Sequence, residues 1–121
     1  MCSNIVAGRI LWVQMPPERG QDRIRPAVVL LAPDADGYVG VVAGSASGEP
    51  DNPDHAFELP WDSEHPCRTG LRKRTVIDLM WRTRVHLNDI KKAGGVLPGP
   101  ALAEMQERIR ALTPELGEPT T

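Results

Sequence analysis

Arg25-Pro26-Ala27-Val28-Val29-Leu30-Leu31-Ala32 decides how this chain folds. From Pro26 onward the stretch is a continuous apolar run with two β-branched residues, short for a helix and suited to a strand buried on both faces. Pro26 suits the first position of such a strand, where a missing N–H does least harm. It also holds the preceding residue extended. Arg25 is then a long cationic side chain on a stiffened backbone at the lip of the core. Local sequence leaves two uses open. Arg25 can pair with Asp22 or Glu18, or it can offer the planar donor fork of a guanidinium to an anion.

Upstream, Ile10 to Met15 reads as a first strand stopped by Pro16-Pro17, and Pro17 to Ile24 as a polar loop carrying Arg19 and Arg23. Downstream, Pro33 to Gly37 has turn composition, and Tyr38 to Gly44 is a third strand with bends or bulges expected at Gly40 and Gly44. Ser45 and Ser47 follow it, either as turn serines bonded to backbone or as hydroxyls standing at the end of a strand. The proline-broken stretch Ser47 to Pro66 reads as loop, with a short strand at Ala56 to Leu59. Thr75 to Leu79 and Arg82 to Leu87 read as two further strands. The second alternates, with Arg82, Arg84 and His86 on one face and Thr83, Val85 and Leu87 on the other. Asn88 is placed to cap a single turn over Asp89 to Lys92, ending at Gly94-Gly95.

Near the end, Pro100 opens a helix whose stripe is Leu102, Met105, Ile109, Leu112 and Leu116. Five or six short strands and one terminal amphipathic helix predict an α+β, mainly β domain: a small, strongly bent barrel or sheet with the helix packed on it. Residues 1–116 are expected to form this one domain, with 117–121 a frayed tail.

The 121 residues carry 14 Lys and Arg against 16 Asp and Glu, a net charge of −2 that hides two zones. Glu49 to Glu64 is acidic without a Lys or Arg. Arg68 to Lys92 holds Arg68, Arg72, Lys73, Arg74, Arg82, Arg84, Lys91 and Lys92 against Asp78 and Asp89 alone. A basic segment of this kind either solvates a surface or follows a phosphate backbone. No apolar run has the length of a membrane span, and the N-terminus does not read as a signal peptide. Cys2 and Cys67 show no pairing pattern, so reduced thiols in a cytoplasmic setting are expected. The sequence lacks a Gly-rich phosphate loop, Cys-x-x-Cys, His-Glu-x-x-His and Gly-x-Ser-x-Gly. Asp51, Asp54, His55, Asp62 and His65 have no metal-ligand spacing, and neither a metal nor a cofactor is expected. Trp12, Trp61 and Trp81 are either core residues or stacking faces.

At these residues the chain resembles the MazF/PemK family of toxin–antitoxin toxins. The resemblance runs through Gly8 to Val13, Pro16 to Gly20, Arg25 to Leu30, Val41 to Ser45, Gly70 to Leu79 and the helix after Gly95-Val96-Leu97-Pro98, about residues 6 to 113. Its specificity lies in the order of the pieces, not in any single one. The resemblance implies an SH3-like barrel with a C-terminal helix, usually a homodimer. It implies a metal-free endoribonuclease that cuts single-stranded RNA and is inhibited by a cognate antitoxin. The family's catalytic arginine falls on Arg25, and its hydroxyl residue, usually Thr, falls on Ser45, with Ser47 the alternative two residues on. Arg19, Arg23, Ser47, Arg72, Lys73, Arg74, Arg82 and Arg84 are then the candidates for holding RNA. The chain departs from the family pattern at Arg9, where an acidic residue is common, and at Ser45. Those two departures favour the competing reading, a non-catalytic toxin-fold module that binds a protein or RNA target.

Overall fold

A computed structural model describes residues 5–14, 24–45, 53–60, 71 and 74–112. Strands β1 (Arg9–Gln14), β2 (Ile24–Leu31), β3 (Tyr38–Ser45), β4 (Ala56–Glu58), β5 (Val76–His86) and β6 (Ile90–Val96) precede one helix, α1 (Gly99–Leu112). Single 3₁₀ turns lie at Pro53–His55 and Leu87–Asp89. The strands form one antiparallel sheet in the order β4-β5-β3-β2-β1-β6. The α+β, mainly β class expected from the sequence is the one observed. Among the described residues the sheet does not close into a barrel, because β4 and β6 remain its edges.

The sheet is apolar on both faces, and strand alternation sorts its residues between them. Ile10, Val28, Val42, Ile77 and Leu79 pack with Met105 and Ile109 of α1, with Leu102 and Leu112 partly buried beside them. The helix therefore uses the stripe read from the sequence, apart from Leu116, which lies outside the described residues. Leu11, Val13, Ala27, Val29, Val39, Val41, Ala43 and Val85 form a second cluster on the other face. Each fully buried aliphatic side chain contributes about 1.5–3 kcal/mol. Central strand β2 serves both clusters, which is why its sequence is apolar without alternation.

Three expectations are corrected. Pro26 is the third residue of β2, buried opposite Trp12 of β1. Its missing N–H is tolerated because β2 pairs with β3 only from Ala27 onward. Thr75–Leu79 and Arg82–Leu87 are not two strands. Val76–His86 is continuous, and the chain between Ile77 and Arg82 bends without leaving the sheet. Finally, in the helical turn expected over Asp89–Lys92, Asp89 ends a 3₁₀ turn and Ile90–Lys92 begin edge strand β6. His86 takes the cap role assigned to Asn88, its Nδ1 accepting from the Asn88 amide, and only Leu87–Asp89 turn. Pairing of Ala93 with Leu11 and Lys92 with Trp12 overrides the local turn signal.

The bends foreseen at Gly40 and Gly44 are present. The β2–β3 register shifts between Val29 and Leu31, where Leu31 meets Gly40, and the β3–β5 register shifts between Val42 and Gly44. Gly44 is required by contact: a Cβ there would lie 2.1 Å from the Val76 carbonyl oxygen and 2.7 Å from Ile77 Cα. The turn at Asp34–Gly37 is closed by the Gly37 amide donating to Asp34 O at 3.0 Å, with Gly37 at φ 85°.

Candidate active site

Arg25 follows Ile24 at the start of β2 and stands opposite Val13 of β1. Its place in the alternation with Ala27 and Val29 puts it on the face away from α1. The side chain is part-buried, and its Cζ lies 5.7 Å from the centroid of the Trp81 ring. No carboxylate among the described residues pairs with it. Asp22 and Glu18, the ion-pair partners the sequence left open, lie outside the described residues.

Ser45 ends β3 and pairs with Val76 of β5. On its other side, β3 pairs with β2 as far as Ala27↔Ala43, so Arg25 and Ser45 each lie two residues past the last β2–β3 pair. Both residues thus lie at the end where β2 and β3 cease to pair. Gly44 makes that end possible, since the close approach of β5 to β3 leaves no room for a side chain before Ser45.

The other basic candidates separate. Arg82 sits opposite Val42, a residue of the helix-side cluster, and so lies on the face opposite Arg25. Arg82 and Arg84 line a cavity of about 580 Å³ together with Leu30, Gln106, Ile109 and Arg110. Arg84 is tied down: its Nη2 donates to Asp34 Oδ2 at 2.7 Å, and its Cζ lies 4.8 Å from the Tyr38 ring centroid. Asp34 is itself fixed, because Oδ1 accepts from the amides of Asp36 at 2.9 Å and Tyr38 at 3.0 Å. The Tyr38 amide above all holds the Asp34 carboxyl below its ordinary pKa. The Asp36 amide and Arg84 act in the same direction, while desolvation opposes them. Arg74 pairs with Glu58 at 3.2 Å near the β4 edge. Arg19, Arg23, Ser47, Arg72 and Lys73 lie outside the described residues.

Arg9 donates from Nη1 to the Gly94 carbonyl at 2.7 Å and so braces β1 against β6. The described residues contain no cluster of three or more His, Cys, Asp or Glu able to hold a metal. No helix among them is long and apolar enough to cross a membrane. Sequence reasoning left Trp81 between core and stacking roles. The structure gives it a part-buried position on the second cluster with one face toward Arg25. Its signal was parity, since Trp81 falls in step with Thr83 and Val85.

No family model matches the sequence, and no curated protein matches it. Solved structures do match. The Mycobacterium tuberculosis toxin MazF-mt6 aligns with a TM-score of 0.63 at 15% identity, covering 85% of this chain and 93% of that one. A MazE–MazF structure from Deinococcus radiodurans gives 0.66 at 18% identity, covering 90% and 95%. A MazF structure from the same organism gives 0.64 at 21% identity, covering 89% and 94%. The chain has the fold of MazF toxins over nearly its whole length.

Proposed function

We propose that this chain is a toxin endoribonuclease of the MazF kind, acting as a homodimer in the cytoplasm and inhibited by a cognate antitoxin. It cleaves single-stranded RNA without a metal. The RNA's own 2′-oxygen forms a bond to phosphorus as its proton leaves to solvent or a base. The P–O5′ bond breaks, and the departing oxygen takes up a proton. The products are a 2′,3′-cyclic phosphate and a 5′-hydroxyl end.

This chemistry asks the protein chiefly for donors aimed at a phosphorus centre whose oxygens gain charge. The observation that carries the reading is Arg25: a guanidinium at the open end of β2, with no carboxylate partner among the described residues, on a fold shared with MazF toxins. Its planar fork matches two phosphate oxygens. In this reading Ser45 adds a hydroxyl donor from the facing strand. Arg25 stabilises charge and can protonate the leaving oxygen, whereas a guanidinium makes a poor general base. The antitoxin partner rests on the MazE–MazF complexes among the structures of this fold.

The test is incubation of purified protein with a long single-stranded RNA in chelator, followed by mapping of the cut ends. Cyclic-phosphate and 5′-hydroxyl termini are expected, and Arg25→Ala should lower the rate on the order of 100-fold or more. RNA left intact by the parent protein would reject catalysis in favour of a binding module. Cleavage by Arg25→Ala at the parent rate would remove Arg25 from the mechanism.

A further inference from the structure

We infer that Trp81 is a positioning residue for Arg25: its indole face holds the guanidinium at the reacting phosphate while leaving the N–H donors unspent. The inference rests on the reading of Arg25 given above, and three features of the structure lead to it.

The first is the contact itself. Arg25 Cζ stands 5.7 Å from the Trp81 ring centroid, within the range of a cation–π interaction. The second is what Arg25 lacks. A carboxylate clamp would fix the guanidinium equally well, but it would occupy the same fork that phosphate needs. No such clamp exists among the described residues, and a ring face attracts the cation without accepting its N–H groups in the guanidinium plane.

The third is how the chain delivers the ring. Val42 of β3 pairs with Arg82, and Gly44 pairs with Ile77. One residue of β3 therefore spans the same gap as Asp78, Leu79, Met80 and Trp81 of β5. Bulges re-aim side chains in this way. Asp78 stabilises the bend by accepting from the Met80 amide at 3.0 Å. Met80 is left exposed, and Trp81 turns back onto the second cluster under Arg25. Gly44, on the facing strand, admits the backbone of Val76 and Ile77 at the same place. A uniform β3–β5 register would need neither the bulge nor this glycine.

The test compares Trp81→Leu with Trp81→Phe, each alone and combined with Arg25→Ala, by RNA cleavage and thermal melting. Trp81→Leu, which removes the ring face, should lower kcat about tenfold with KM near the parent value. Trp81→Phe should recover most of that loss while melting no higher than the Leu variant. With Arg25 already removed, Trp81→Leu should cost nothing further, because the pair acts as one unit. An activity-independent readout is the side-chain NMR signal of Arg25, assigned by its disappearance in Arg25→Lys. Ring current from Trp81 should displace this signal, and the displacement should be absent in Trp81→Leu. If the Leu variant fails to fold, the Phe variant and the parent spectrum still decide.

Parent-like cleavage by Trp81→Leu alongside collapse in Arg25→Ala would overturn the inference and leave the role of Arg25 standing. Equal losses from Trp81→Leu with and without Arg25 would also overturn it. An undisplaced Arg25 signal in the parent would do the same. Parent-like cleavage by Arg25→Ala would strike the underlying reading instead.

Discussion

Arg25 and Arg84 each lie against an aromatic ring, yet their donors are committed differently. Arg84, near the Asp34 turn, rests 4.8 Å from the Tyr38 ring centroid and also donates to Asp34, a carboxylate that two backbone amides already hold. Arg25, at the far end of the sheet, rests on Trp81 and has no carboxylate partner among the described residues. One arrangement closes a turn. In the reading proposed above, the other orients a cation whose donors no carboxylate among the described residues takes up. Positive charge in the sequence therefore does not by itself mark a phosphate site, since Arg84 is committed to Asp34.

The widest separation between the two should appear in cleavage. Arg25→Ala is expected to lose on the order of 100-fold or more, whereas Arg84→Ala should cut RNA near the parent rate and melt slightly lower. Equal losses in the two variants would break the comparison, because a guanidinium occupied by Asp34 would then be acting on RNA.

Much of this was legible beforehand, for reasons that differ by element. The buried run after Arg25 and the stripe Leu102–Met105–Ile109–Leu112 follow from periodicity, which a folded core obeys directly. Arg25 itself stood out through its proline and its place in the order of the chain, and neither depends on distant contacts. Strand β6 was hidden because Asn88, Asp89, Gly94 and Gly95 carry turn chemistry, while the pairing that overrides it comes from β1, at the other end of the sequence. The continuity of β5 was hidden for a similar reason: its irregularity is tolerated only because β3 offers Gly44 opposite. Among the RNA candidates, sequence alternation grouped Arg82 with Arg84 correctly but had no means to say that α1 covers their face and not that of Arg25.

The two glycines of β3 carry the comparison into the backbone. At Gly44 an added Cβ meets backbone atoms at 2.1 and 2.7 Å, and neither neighbour can yield without moving β5. Gly44→Ala should destabilise by about 3 kcal/mol in chemical denaturation. At Gly40 the nearest atom is Leu31 Cβ at 3.3 Å, on a side chain that is 70% exposed. Gly40→Ala should therefore cost under about 1 kcal/mol. Comparable losses at both positions would mean that the tight β3–β5 approach beside Ser45 is not a constraint on the fold.

The smallest effect belongs to the Asp34 turn and shows itself through pH. The Asp34 carboxyl is held below its ordinary pKa, chiefly by the Tyr38 amide and further by the Asp36 amide and Arg84. A carboxylate depressed in the folded state contributes stability that is fully present above its unfolded pKa and is lost as pH falls through the folded one. Asp34→Asn keeps an oxygen for the two amides but removes the charge that strengthens those bonds and pairs with Arg84. The variant should melt below the parent at neutral pH, and the gap should close as the pH drops through and below the ordinary carboxylate range, near 4. Melting curves of both proteins across that range measure the gap. A gap independent of pH would show that the Asp34 charge contributes nothing to the turn. Arg84 would then lack the electrostatic commitment that sets it apart from Arg25.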